Sequence, residues 1–351
     1  MNSAFFNSTL TRLPVTILLA ALGGGTFYLM GLPAAWLSGA MVFVAAATLA
    51  GVPTIMPDPL RDALFVGIGV SMGAGVRPDV VERIGDWPIS MALLLVVVVC
   101  VTLAGYAVLH FGAKWSKETA FFGAIPGTLS YVIALATDRG ADLPRIASSQ
   151  SLRLFVLVAI LPFAVVSTSG TLEGETGLLQ VSSWFEIMIG LPLCLLASLI
   201  ALKLNVPGGL MTGAFFMSAG LNASGAWTLI LPDYMVLPCF VLMGAMIGCR
   251  FGSMTFRQFV SVLGASVAAF SAAFLMSILG ALAISSLVDI PFGQALLAYA
   301  PGGLEVMTLL AFMLDLDPAF VAAHQIARFT GMVLLLPLIT GLVFGRAKPR
   351  S

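Results

Sequence analysis

Arg153 and Arg328 each follow a glutamine by three residues, Gln150 and Gln325, inside long apolar runs. At that spacing amide and guanidinium share one helix face. A planar guanidinium can grip a carboxylate or phosphate with two parallel hydrogen bonds, so both pairs are candidate substrate-binding groups for an anion. An arginine at the centre of a bilayer costs about 3 kcal/mol, so each needs a reason to be there. Three fit: contact with a ligand, snorkelling of the head group to an interface, or a buried acidic partner. Glu305 is the acid placed to be that partner, and its counterpart in the other half of the chain is Ser130. Glu305 is also a candidate carrier of a coupling proton. His324, four residues before Arg328, is a second coupling candidate, because imidazole is the side chain that ordinarily changes charge near physiological pH. The plainer reading of His324 is a hydrogen-bonded packing residue.

Two further motifs bear on the same chemistry. Pro126-Gly127-Thr128 and Pro301-Gly302-Gly303 lie in the interior of apolar runs, at 119–137 and 293–313. Proline removes a helix hydrogen bond and glycine weakens the helix further, so both segments are predicted to be broken. A proline at the first position of the second limb would leave that limb's free N–H groups, and its positive dipole end, facing into the protein. All six residues are therefore candidate substrate contacts. A kink that only relieves packing is the alternative.

The elements that must position these groups follow from composition. Of 351 residues, 60% are apolar and 9% charged, against about 25% charged in a soluble domain. That surface suits a lipid bilayer, the first expected partner. The net charge of zero offers no basic field for nucleic acid. Cys100, Cys194, Cys239 and Cys249 stand singly, without metal-ligand spacing. Apolar segments fall at 13–30, 33–50, 60–76, 88–111, 119–137 and 146–166. After a polar stretch they resume at 184–202, 207–222, 233–249, 259–286, 293–313 and 319–344. The run after Arg12 reads as a first span rather than a signal peptide.

The halves are related by a shift of 175 residues. Pro126, Gly127 and Leu129 meet Pro301, Gly302 and Leu304; Asp142, Gln150, Arg153 and Pro162 meet Asp317, Gln325, Arg328 and Pro337. Gly69 and Gly73 meet Gly244 and Gly248, and at a shift of 174 Pro33, Gly39 and Ala40 meet Pro207, Gly213 and Ala214. Apolar composition alone would not align Pro, Asp, Gln and Arg in one register. The expected organisation is membrane repeat 1 at 13–166, a polar linker at 167–183 and membrane repeat 2 at 184–345.

Charge decides the expected topology. If all twelve segments cross the bilayer, basic residues divide evenly between its sides. If the two Pro-Gly segments dip in and return, Arg12, Arg61, Lys114, Lys117, Arg139, Arg145, Lys203, Arg250, Arg257, Arg346, Lys348 and Arg350 share one face. Only Arg77 and Arg83 then lie opposite. The positive-inside rule makes the crowded face cytoplasmic, with both termini on it. Five crossings per half place the second half upside down. The fold expected is therefore an all-α polytopic membrane protein of two homologous inverted repeats, each with five transmembrane helices and one re-entrant or broken segment. Backbone broken at membrane depth is tolerated where it lines a cavity, and inverted repeats with broken helices recur in secondary transporters.

Leu32-Pro-Ala-Ala-Trp36-Leu-Ser-Gly39, Ala300-Pro-Gly-Gly-Leu-Glu305 and Asp317-Pro-Ala-Phe-Val-Ala-Ala-His324-Gln325-Ile-Ala-Arg328 resemble the membrane AbrB family. This is a duplicated Gram-negative family whose members carry the labels transcriptional regulator and ammonia monooxygenase. The resemblance spans nearly the whole chain and implies a bacterial inner-membrane protein with a part in regulating gene expression. More loosely, the plan is similar to citrate and glutamate symporters, which implies Gly127, Gly302 and Gly303 at the site. Thr128, where the second half has Gly303, departs from that pattern.

No enzyme chemistry is expected. A copper or iron oxygenase needs several histidines or carboxylates on one metal, and the chain has two histidines, His110 and His324, with no HxxxH, ExxH or CxxC. No cofactor or metal is expected. The functional expectation is an ion-coupled secondary transporter of a small anionic solute, driven by H+ or Na+. The alternative is a membrane-embedded regulator or sensor that influences gene expression through a partner, without transport. Glycine-rich spans such as 67–75 suit close helix packing within a protomer or in a homo-oligomer.

Overall fold

The computed structural model describes residues 9–76, 87–127, 129–137, 139–169, 181–224, 227 and 229–344. Among them the chain is helical throughout, in two sets of seven. The first set is α1 (Thr9–Leu29), α2 (Ala35–Leu49), α3 (Asp58–Ala74), α4 (Trp87–Ala107, extended by a π-turn at Val108–Gly112), α5 (Lys117–Ala124), α6 (Leu129–Thr137) and α7 (Leu143–Ser169). The second is α8 (Trp184–Lys203), α9 (Gly209–Ala223), α10 (Asp233–Cys249, extended by a 3-10 turn), α11 (Phe256–Leu287), α12 (Phe292–Tyr299), α13 (Leu304–Met313) and α14 (Pro318–Phe344). Each expected apolar segment is helix, and the two Pro-Gly segments are interrupted, as α5/α6 and α12/α13.

Among the described residues, seven helices are long and apolar enough to cross a bilayer. They belong to α1, α4, α7, α8, α10, α11 and α14, which makes the chain a multi-pass membrane protein. Helices α2 and α9 have 15 residues and α3 has 17, short of the roughly 20 that span the hydrocarbon core. Arg77, Arg83, Arg346, Lys348, Arg350 and most of the expected linker lie outside the described residues.

The repeat is written into local backbone geometry. Left-handed residues recur at matched places: Gly31 (φ 68°) with Asn205 (φ 55°), Ala34 (φ 50°) with Gly208 (φ 63°), and Gly140 (φ 67°) with Asp315 (φ 53°). Ala34 and Gly208 are the N-caps of α2 and α9.

Two compact units form, and neither is one of the sequence halves. The first gathers Met1–Gly85, Val158–Thr255 and Thr308–Ala319; the second gathers Asp86–Leu157, Phe256–Met307 and Phe320–Ser351. In the first unit the halves pack crosswise. Helix α3 lies on α9, where a Cβ on Gly69 would come 2.8 Å from the Ala214 Cβ. Helix α10 lies on α2, where a Cβ on Gly244 would come 2.8 Å from the Ala40 Cβ and against the Leu37 carbonyl. Absent side chains let these backbones touch, which is how apolar helices associate without a hydrophobic drive between them. Ser218 donates to the Val70 carbonyl at 2.8 Å across the α3–α9 contact.

The second unit holds α4, α5, α6, α11, α12, the first turn of α13, and most of α14, with the N-terminal half of α7. Phe122, Ile125, Val132, Ala136, Ile146 and Leu336 form one of its cores. Tyr131 on α6 donates to the Val333 carbonyl on α14 at 2.9 Å.

Gly244→Val should lower the thermal unfolding midpoint in detergent, at a cost of about 1–3 kcal/mol from overpacking. Gly25→Ala, with nothing within 4 Å of its added Cβ, should leave the midpoint unchanged.

Candidate functional site

The site is built at the two breaks, both in the second unit. Proline disfavours helical backbone in the residue before it. Ile125 (φ −62°, ψ 126°) and Ala300 (φ −58°, ψ 141°) are accordingly extended, and α5 and α12 stop there. Gly127 N–H then bonds the Ile125 carbonyl at 3.0 Å and Gly302 N–H the Ala300 carbonyl at 2.7 Å, closing matched γ-turns. Each proline thus ends the first limb. The expectation that it opens the second is corrected: α6 and α13 begin three residues after the proline, at Leu129 and Leu304.

Stopping a helix leaves its last carbonyls without partners. The glutamine–arginine pairs supply them. Gln150 donates to the Phe122 carbonyl at 3.1 Å and Arg153 to Ile125 at 3.1 Å. Gln325 donates to Leu297 at 2.9 Å and Arg328 to Ala300 at 2.6 Å. Each of these bonds reaches back 28 residues, so the two breaks are held by one motif used twice. Gln325 also reaches Ala298 (3.2 Å), and Arg328 also donates to the Gly302 carbonyl.

Arg153 is 8% exposed, Arg328 5%, Gln150 3% and Gln325 0%, so neither arginine snorkels. Glu305 is not their partner: no ion pair joins either arginine to an acid among the described residues. The guanidinium groups serve carbonyls instead, because the C-terminal ends of α5 and α12 present negative dipole ends that a cation offsets. This leaves two positive charges buried near enough for Arg153 to act on Arg328 electrostatically. Among the described residues, Arg153 Nε, Arg328 Nε and Gln325 Oε1 find no hydrogen-bond partner.

Pro126, Pro301 and Gly302 are buried, with Gly127 and Gly303 at intermediate exposure; Thr128 lies outside the described residues. Glu305 sits in the first turn of α13, where a negative charge suits the helix dipole. Its carboxylate folds back over the break: a Cβ on Gly303 would come 3.4 Å from Glu305 Oε2. Among the described residues no three His, Cys, Asp or Glu side chains gather as metal ligands.

His324 is fully buried. It meets Ser90 of α4 through Nε2 and the Phe320 carbonyl through Nδ1 at 2.8 Å. Tyr299, the last residue of α12, packs near the ring and donates to the Ser90 carbonyl at 2.7 Å. Sequence reading did not find Ser90 or Tyr299, which lie more than 200 residues away along the chain from the groups they bind. The Trp87-Pro88 and Tyr299-Ala300-Pro301 contexts were the available signals.

Residues 36–344 match the model of the family described as transition state regulatory protein AbrB. The chain belongs to the AbrB family. It is 26% identical over 335 residues to an Escherichia coli (strain K12) protein whose name makes it a candidate regulator, AbrB, covering 93% of this chain and 94% of that one. It is 24% identical over 354 residues to "Uncharacterized protein YhjN" of Bacillus subtilis (strain 168), covering 92% of this chain and 90% of that one. Both alignments run nearly end to end along this AbrB-family chain and its relatives.

Arg328→Gln should speed amide hydrogen exchange at 302–307 by about tenfold, the loss of roughly one charged hydrogen bond, while 129–134 exchanges as before. Arg153→Gln should reverse the pattern, read by exchange mass spectrometry.

Proposed function

We propose that this AbrB-family protein is an ion-coupled secondary transporter of a small anionic solute. The observation that carries the reading is the doubled break. One unit contains two interrupted helices, each closed by the same γ-turn and held by the same Gln–Arg motif. Irregular backbone inside a membrane protein is tolerated around a site or pathway, and paired broken helices are the form such sites take in transporters.

The anionic preference rests on charge. Among the described residues, the two buried guanidinium groups have no acidic partner and retain unpartnered Nε–H groups. Uncompensated buried charge costs several kcal/mol, which a bound carboxylate or phosphate group would offset. Candidate contacts are Pro126, Gly127, Thr128, Gln150 and Arg153 in one half, and Pro301, Gly302, Gly303, Gln325 and Arg328 in the other.

The matching topology is an inverted repeat: five crossings per half, with α5/α6 and α12/α13 re-entering from opposite faces and both termini cytoplasmic in a bacterial inner membrane. The twelve-to-two division of basic residues supports it. The crosswise exchange of α3–α9 and α2–α10 contacts fits a two-fold axis between the halves, whether they are inverted or parallel. Helices α2, α3 and α9 cross despite their length because neighbouring helices and local bilayer thinning accommodate short spans. No enzymatic activity is assigned. The second reading, a membrane regulator acting through a partner, is favoured by the names of the family and of the E. coli relative.

Purified protein in proteoliposomes, screened with radiolabelled mono-, di- and tricarboxylates, phosphate and sulfate, should accumulate at least one anion. Arg153→Gln and Arg328→Gln should each reduce that uptake at least tenfold while eluting as folded protein. Glu305→Gln should change its pH dependence. Absence of uptake for every anion class favours the regulator.

A further inference from the structure

His324 is held so that its hydrogen bonds admit two protonation states. Its Nδ1 lies 2.8 Å from the Phe320 carbonyl. A carbonyl only accepts, so Nδ1 carries a proton and donates. Its Nε2 meets Ser90 Oγ, which also lies 3.2 Å from the Trp87 carbonyl. One hydroxyl proton cannot serve both partners. If Ser90 donates to Nε2, the imidazole is neutral. If Ser90 donates to Trp87, Nε2 must itself donate to Ser90, and the imidazole carries a second proton as a cation. Both ring nitrogens are satisfied in either state, and the hydroxyl needs only to rotate.

Aromatic rings surround the imidazole. Phe320 lies with its ring centroid 4.0 Å from that of His324, Tyr299 at 6.3 Å and Trp87 at 6.4 Å. Of the three, Phe320 alone lies within the roughly 6 Å over which an aromatic face attracts a cation. From α4 the ring meets Ser90 and Trp87. From α12 it meets Tyr299, the titratable group facing it. From its own helix it meets Phe320, with charged Arg328 one turn on. Helix α11 contributes Ser277, which donates to the Tyr299 carbonyl at 3.1 Å. Among the described contacts no carboxylate reaches the ring.

The same cluster touches the second break. Tyr299 donates to the Ser90 backbone carbonyl, and the next residue, Ala300, offers the carbonyl that Arg328 holds. In the first half, Ser149 and Ala124 occupy the places of His324 and Tyr299, so the device occurs once per chain.

We propose that His324 and Ser90 form a proton-binding switch that makes H+ the coupling ion. A solvent proton adds to the Nε2 lone pair, the new N–H donates to Ser90, and the Ser90 hydroxyl turns from Nε2 to the Trp87 carbonyl. Tyr299, which donates to the Ser90 backbone carbonyl, links this pair to the Pro301 break. This rests on the transporter reading.

The chain has two histidines, so His110→Gln leaves His324 as the single imidazole. That variant, labelled with 15N-histidine in lipid nanodiscs, would be followed by NMR from pH 9 to pH 4. The expected result is an Nδ1–H neutral ring at high pH and a doubly protonated ring at low pH. Ser90→Ala should move the transition down by on the order of one pH unit, since a charge-assisted bond is lost from the cation; Ser90→Thr should retain it. A ring that stays neutral across the range, or a transition unmoved by Ser90→Ala, overturns the switch. Anion uptake that keeps its pH dependence in His324→Gln overturns it too, leaving the transporter standing. A ring that titrates in a protein moving no anion overturns the transporter reading and the coupling with it.

Discussion

A helix that stops inside a membrane protein exposes carbonyls that water cannot reach, and every other feature of the second unit follows from meeting that demand. Pro126 and Pro301 stop α5 and α12. Gln150, Arg153, Gln325 and Arg328 then donate to the stranded carbonyls. Arginine suits the task because its fork bonds more than one carbonyl, as Arg328 does, and its charge offsets the negative dipole end. The same choice leaves buried positive charge beside the breaks. A structural solution in each half therefore creates an electrostatic condition that an anion would relieve.

Much of this was legible in the sequence, and the reason is chemical. Proline, glycine and intramembrane arginine are expensive in apolar helices, so their recurrence 175 residues apart is a strong signal. Pro126 with Pro301 and Arg153 with Arg328 set the register, and the structure holds matched hydrogen bonds at those positions. Gln and Arg three residues apart were correctly read as one helix face.

What was not legible depended on backbone direction and on distant pairing. A sequence displays the acid Glu305 but no carbonyl, so the acid looked like the partner of Arg328 when Ala300 and Gly302 were. His324 was legible as a hydrogen-bonded packing residue, but its partners Ser90 and Tyr299, which reach it from other helices, were not. The units were equally hidden. Crosswise contacts such as Gly69 on Ala214 and Gly244 on Ala40 mix the halves, and a linear boundary near residue 170 cannot express that. The halves also diverge where chemistry is concentrated: Glu305, His324 and Tyr299 face Ser130, Ser149 and Ala124. Duplication supplies the paired breaks, and the second copy carries the titratable groups.

In the proposed topology the two breaks are re-entrant and enter from opposite faces. Gly140 and Asp315 occupy matched left-handed turns immediately after α6 and α13. Single cysteines at these positions, in a background with Cys100, Cys194, Cys239 and Cys249 replaced, would be labelled with an impermeant maleimide from each side of the membrane. Re-entrant, inverted breaks predict labelling of position 140 from the cytoplasm and of position 315 from outside. Labelling of both from outside would mean that every segment crosses and the repeats run parallel, which would contradict that topology.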